Sequence, residues 1–154
     1  MSAVLRPPVL QLAAMAPADI ARVMDIENDI YEFPWTAGNF NDSIKAGYQC
    51  WLVEAGEALI AYAVVMLGAG EAHLLNLSVA RAAQGRGIGR QLLQDLMAAA
   101  LAQGVHDMLL EVRPSNSAGR ALYENAGFVQ LGVRKAYYPA RAGREDALVL
   151  GRAL

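Results

Sequence analysis

Apolar positions in the first half of the chain fall in short blocks divided by turn residues, and in the second half the blocks lengthen and change period. "VLQLAAM" (9–15) reads as a first strand. In "PADIARVMDIENDI" (17–30), proline stands at a helix start and Val23, Ile26 and Ile30 share one face. "FPW" (33–35) breaks that helix, and Thr36 is placed to cap a second one running to about Ala46. "YQCWLVE" (48–54), "ALIAYAVVML" (58–67) and "EAHLLNLSV" (71–79) read as strands divided by "AGE" and "GAG". Connections this short favour an antiparallel meander.

Beyond residue 80 the period becomes helical. A helix is expected from about Gly87 to Gln103, with Ile88, Leu92, Leu96 and Ala100 four apart and Gly104 ending it. "DMLLEV" (107–112) is a strand, "SAGRALYENA" (117–126) a short helix closed by Gly127, and "FVQLGVRKAYY" (128–138) and "DALVLGRAL" (146–154) are two last strands. Strand–helix–strand–helix–strand argues for crossovers with some parallel pairing. The expected fold is α/β (α+β mixed) in a single domain spanning 1–154. Its central sheet is mixed but mostly antiparallel, of about seven strands, with helices on both faces.

Composition narrows the setting. The chain has 154 residues, 55% of them hydrophobic and 18% charged, enough for one buried core and too apolar for disorder. Cys50 is the single cysteine, so no internal disulfide forms, and its place in a strand suits a small buried hydrophobe. The N-terminal "MSAVLRPPVL" has no long apolar run, and the longest apolar stretch, residues 58–67, is too short to span a bilayer. A cytoplasmic protein with no membrane contact is the expectation. The net charge of −2 argues against nucleic-acid binding. Its distribution is uneven: residues 1–79 carry three basic and nine acidic side chains, residues 80–154 ten basic and six acidic. The basic half faces a small anion rather than a polymer.

That half contains "SVARAAQGRGIGRQLLQDL" (78–96), in which Gly85, Gly87 and Gly89 alternate among Arg81, Arg86 and Arg90 before a leucine-rich helix. A dinucleotide fingerprint fits poorly, because position 90 is arginine and about five residues separate the strand end from the first glycine. A P-loop is excluded because no lysine follows the glycines. The shared physics remains: glycines bring backbone N–H groups close to a ligand, and the helix N-terminus and arginines add positive charge. "QGRGIG" matches Q/R-x-x-G-x-G/A at Gln84, Gly87 and Gly89, and it resembles the acetyl-coenzyme A signature of the GCN5-related N-acetyltransferases. The resemblance implies that the coenzyme lies in a cleft at the sheet opening. Gly85, Arg86, Gly87, Ile88, Gly89 and Arg90 would hold its pyrophosphate, and main-chain groups of Leu77, Ser78 and Val79 its pantetheine arm.

Forming an amide from a thioester needs a base for the amine and an acid for the leaving sulfur. Glu111, ending "DMLLEV", is the candidate base, against the alternative of a strand-end charge paired with Arg113. Tyr123 is the candidate acid, against a simple packing role. It lies seven residues after Asn116 and can share its helical face, while Asn116 or Ser115 is equally suited to capping. "LLEVRPSNSAGRALYENAGF" (109–128), "FPW" and "YYPARAGREDALVL" (137–150) are similar, more narrowly, to the ribosomal-protein-alanine N-acetyltransferases. That resemblance implies Glu111 as general base, Tyr123 as general acid and Asn116 as a coenzyme contact. Gly119 departs from it, standing where the pattern has alanine.

The same resemblance implies a basic protein N-terminus as acceptor, the N-terminal alanine of the eighteenth small-subunit ribosomal protein. Asp25, Glu27, Asp29 and Glu32 form an acidic cluster before "FPW", expected either to steer such a substrate or to be a solvated helix face. Tyr137 and Tyr138 are candidate walls of a peptide groove or packing residues, and Trp35 and Trp51 core or groove walls. His73 and His106 lie far apart without other ligands at metal spacing, so no metal is expected. Two alternatives stay open: acetylation of lysine side chains or small amines, and a coenzyme-binding sensor without turnover.

Overall fold

Seven strands form one sheet in the order β1-β2-β3-β4-β5-β7-β6. They are β1 (Leu12–Ala14), β2 (Gln49–Ala55), β3 (Ala58–Gly68), β4 (Glu71–Val79), β5 (Asp107–Val112), β6 (Val129–Pro139) and β7 (Arg144–Ala153). The structure, a computed structural model, describes residues 10–154, so the start of the first expected strand and the reading of the N-terminal segment fall outside the described residues. Among the described residues only β4 and β5 pair in parallel; all other neighbours are antiparallel.

Two apolar layers hold helices to opposite faces. The α1 (Ile20–Ile30) and α2 (Ala37–Lys45) helices pack on one face, where Val23 and Phe40 meet Leu52, Tyr62 and Val64. The α3 (Ile88–Ala102) helix packs on the other, its Leu92, Leu93, Leu96 and Ala100 meeting Ala63, Val65, Leu74, Met108 and Leu110. The α4 (Ser117–Asn125) helix adds Leu122 and Tyr123 to that second layer.

Local chemistry sets the helix ends. Thr36 caps α2 as expected: its hydroxyl accepts from the Asn39 N–H at 3.1 Å, and Asn39 Oδ1 accepts from the Thr36 N–H at 2.9 Å. Gly104, at φ +80°, closes α3 by turning left-handed while the Val105 N–H bonds back to the Ala100 carbonyl at 3.1 Å.

One sequence expectation is corrected. Pro17–Asp19 is a separate 3₁₀ turn, and the buried stripe of α1 is Ile20, Val23 and Glu27, with Ile26 only half-buried. The expected parallel pairing is that of β4 with β5, while β7 folds back from β6 and inserts antiparallel between β5 and β6.

Candidate active site

The parallel ladder between β4 and β5 runs from Glu71/Asp107 to Leu74/Leu110 and stops there. Its end coincides with a bulge. Val64 pairs with Asn76 and Val65 with Leu74, which leaves Leu75 as the extra residue on β4. The bulge also exchanges the faces of the strand: Ala72 and Leu74 pack toward α3, and beyond Leu75 it is Leu77 and Val79 that do so. Asn76 and Ser78 thereby turn into the layer beneath α1, buried and hydrogen-bonded to each other at 2.6 Å.

Past the split lies a cleft of about 750 Å³, which Leu77, Glu111, Asn116 and Tyr123 all line. Four expected site residues from three elements thus meet in one place. The glycine loop stands beside it. A Cβ built on Gly89 would lie 3.6 Å from Val79 and 3.8 Å from Leu122, so the start of α3 touches both the end of β4 and α4. Gly85 and Gly87 adopt φ of +77° and +78° with open space beside them, and no side chain caps the N-terminus of α3. A loop with this backbone freedom and uncapped helical N–H groups fits an anionic pyrophosphate. Ile88 and Gly89 are half-buried and Arg86 and Arg90 exposed. Gln84 of the signature donates to the Val79 carbonyl at 3.0 Å, fastening the loop to the strand end.

Glu111 is not partnered by Arg113. Its side chain is 10% exposed, with Oε1 3.5 Å from His73 Nε2 and 3.6 Å from Arg134 Nε. Arg113 turns instead to the Pro139 carbonyl at 2.7 Å and Glu145 at 3.3 Å, and lies over the rings of Tyr138 and Phe33. Tyr123 packs edge-on to Phe128 at 5.9 Å, and burial holds its phenol well above the ordinary value. Asn116 fills the capping role, its Oδ1 accepting from the Gly119 N–H at 2.9 Å, while still lining the cleft. A Cβ at position 119 would come within 2.5 Å of the Asn116 amide, so glycine there leaves room for the cap.

The acidic cluster on α1 is corrected most. Glu27 is 1% exposed. It accepts from the Trp35 N–H at 2.9 Å, the Tyr62 hydroxyl at 2.7 Å and Asn76 Nδ2 at 3.3 Å. A desolvated carboxylate holding three donors is a structural anchor and not part of a solvated steering field. Asp29 is bound by Arg81 and Glu32 by Arg141, while Asp25 is exposed.

Sequence reading also passed over Tyr31, whose hydroxyl shares a 2.6 Å bond with Ser78 and reaches the Leu77 carbonyl at 3.3 Å. Burial chiefly pushes this phenol up to about 12. Tyr138 and Trp35 line the cleft, Tyr137 is exposed and Trp51 packs against the main core. Cys50 is buried, as its strand position suggested, and burial pushes its thiol up.

The β6–β7 ending is held by two carboxylates. Glu145 accepts from the Ser115 hydroxyl and N–H, both at 2.9 Å, and Asp146 accepts from the Ala136 N–H at 2.9 Å. The Ser115 hydroxyl foremost holds Glu145 below the usual carboxylate range, and the Ala136 N–H does the same for Asp146. Because both folded values lie below the unfolded ones, this stabilisation is complete above about pH 5 and is lost as pH falls through the folded values. Thermal melting should therefore show Tm dropping steeply below about pH 4. The Glu145→Gln/Asp146→Asn double variant should start lower at neutral pH and fall less. Parallel curves for the two proteins would count against these anchors.

This sheet, with one parallel pair that comes apart beside a glycine loop, shares its fold with a solved acetyltransferase structure. Residues 20–128 match the Acetyltransferase (GNAT) family, and the chain belongs to it. It is similar to the [ribosomal protein bS18]-alanine N-acetyltransferase of Salmonella typhimurium, 34% identical over 139 residues that cover 90% of this chain and 94% of the relative. The enzyme of that name from Haemophilus ducreyi is 35% identical over 133 residues, covering 86% and 92%. The crystal structure of the ribosomal-protein-S18-alanine N-acetyltransferase from Escherichia coli superposes with a TM-score of 0.86 at 32% identity, covering 93% of this chain and 92% of that one.

Proposed function

We propose that this acetyltransferase moves an acetyl group from acetyl-coenzyme A to the N-terminal α-amine of a protein, its acceptor being the N-terminal alanine of the S18 ribosomal protein. The observation that carries the reading is the convergence of Glu111 and Tyr123 on one cleft at the sheet's split, beside the glycine loop. Relatives that match along nearly their whole length carry that activity in their names. Acetyl-coenzyme A, when bound, supplies the activated acyl group. In this reading residues 85–90 hold the pyrophosphate, and Leu77 to Val79 with Asn116 line the way to the split. Glu111 takes the proton of the attacking amine, and Tyr123 protonates the departing sulfur. An α-amine, with a reference pKa near ~8 against ~10.4 for lysine, asks little of a carboxylate base. A basic protein N-terminus is the implied partner.

The test is acetyl transfer to a short peptide beginning with alanine, followed by thiol release. Transfer to the free peptide and none to the same peptide blocked at its N-terminus supports the reading. Transfer to internal lysines or small amines instead would move the substrate class. Tight coenzyme binding with no transfer to any amine would make the protein a sensor.

A further inference from the structure

We propose that His73 is the proton outlet of Glu111, acting through that carboxylate to return it to its basic form after each turnover; this rests on Glu111 being the base. A base enclosed in a cleft must lose its proton before it can serve again. Glu111 has a path for this on its His73 side. Its carboxylate lines the cleft, and its Oε1 lies 3.5 Å from Nε2 of His73, a residue outside the lining whose side chain is 27% exposed. The parallel ladder makes this pairing geometric. His73 stands opposite Leu109, two residues before Glu111 and on the same face of β5.

The other groups around the carboxylate cannot do this work. Arg134 from β6, 3.6 Å away, is permanently charged and accepts no proton. Tyr137 and Tyr138, also from β6, hold their protons more firmly than ordinary phenols, chiefly through burial and with Glu111 adding to it. The β7 strand sets only Val149 opposite Glu111. An imidazole is the one group of this set that takes and releases a proton near neutrality.

The step balances. As the C–N bond forms, the amine's proton passes to a Glu111 oxygen. The carboxylic acid then hands it to the free ring nitrogen of His73, and the imidazolium releases it to water. Carboxylate and neutral imidazole are both restored, and Tyr123, having given its proton to the sulfur, regains one from water. Arg134 meanwhile keeps compensating charge beside the carboxylate at every stage.

The test is kcat at pH 7 for the full chain, with the acceptor peptide of the preceding assay. It compares the wild type, His73→Gln, His73→Ala and Glu111→Gln, each checked for an unchanged Tm. Both His73 variants should turn over roughly tenfold more slowly at pH 7. Their KM for acetyl-coenzyme A should stay within about twofold. Added imidazole should restore His73→Ala in a saturable way and leave the wild type unaffected. Unchanged kcat in both His73 variants, or a slowed His73→Ala that imidazole does not restore, with Glu111→Gln impaired, overturns the outlet and leaves the base standing. Wild-type turnover by Glu111→Gln removes the base, and the outlet with it.

Discussion

Replacing Tyr123 by phenylalanine is expected to lower kcat by roughly 10²–10³-fold while leaving acetyl-coenzyme A affinity nearly unchanged. The ring is half-buried, packs edge-on against Phe128 and joins the main core. Phenylalanine keeps all of that and removes only the hydroxyl. Burial holds this phenol above its ordinary value, so it keeps its proton throughout the neutral range and is available as a donor at every working pH. The sign follows: no alkaline limb from Tyr123 should appear below about pH 10. Steady-state kinetics with the alanine peptide, together with coenzyme titration, measure both parts. Turnover within a few-fold of wild type would mean that another group protonates the sulfur. Tyr31, which lines the same cleft, would then be the next residue to change.

The largest effect on stability is expected at Glu27. Alanine there strands the Trp35 N–H, the Tyr62 hydroxyl and the Asn76 amide in a buried layer. Each unpaired buried group costs about 1–3 kcal/mol, and partial relaxation brings the sum to about 3 kcal/mol. In a domain of this size that is a fall in Tm of roughly 6–12 °C. Glutamine keeps the shape and one acceptor but presents an N–H₂ where another acceptor is needed, so it should fall between the two. Because the Trp35 N–H anchors the segment that walls the cleft, the peptide KM should rise in both variants. Calorimetry or thermal circular dichroism decides the first point. A Glu27→Ala protein melting within about 2 °C of wild type would remove the anchor.

These two residues also mark where the sequence was readable. The helices and strands follow from local periods and caps, as Thr36 and Gly104 illustrate, and those signals lie within a few residues of one another. Likewise the glycine loop announces itself by spacing alone. The neighbours of Glu111 were not legible, because His73 and Arg134 come from strands brought alongside only by the sheet order. Arg113, the obvious partner by proximity in sequence, is turned away by Glu145 and the Tyr138 ring. Glu27 left a clue that reading by charge missed. It occupies the apolar register of α1 after Ile20 and Val23, and an acid in such a register has buried partners or the helix does not pack.

Leu75 has a wider consequence. A single surplus residue switches the alternation of the strand, so that the apolar side chains before and after the kink all stay on the same layer. One continuous segment can therefore keep its apolar edge on one layer, turn Asn76 and Ser78 into the other, and still leave a doorway between itself and its neighbour. The doorway is thus written into the count of backbone atoms rather than into any reactive side chain. Chemistry at its threshold can be exchanged, residue by residue, without redrawing the scaffold that holds it ajar.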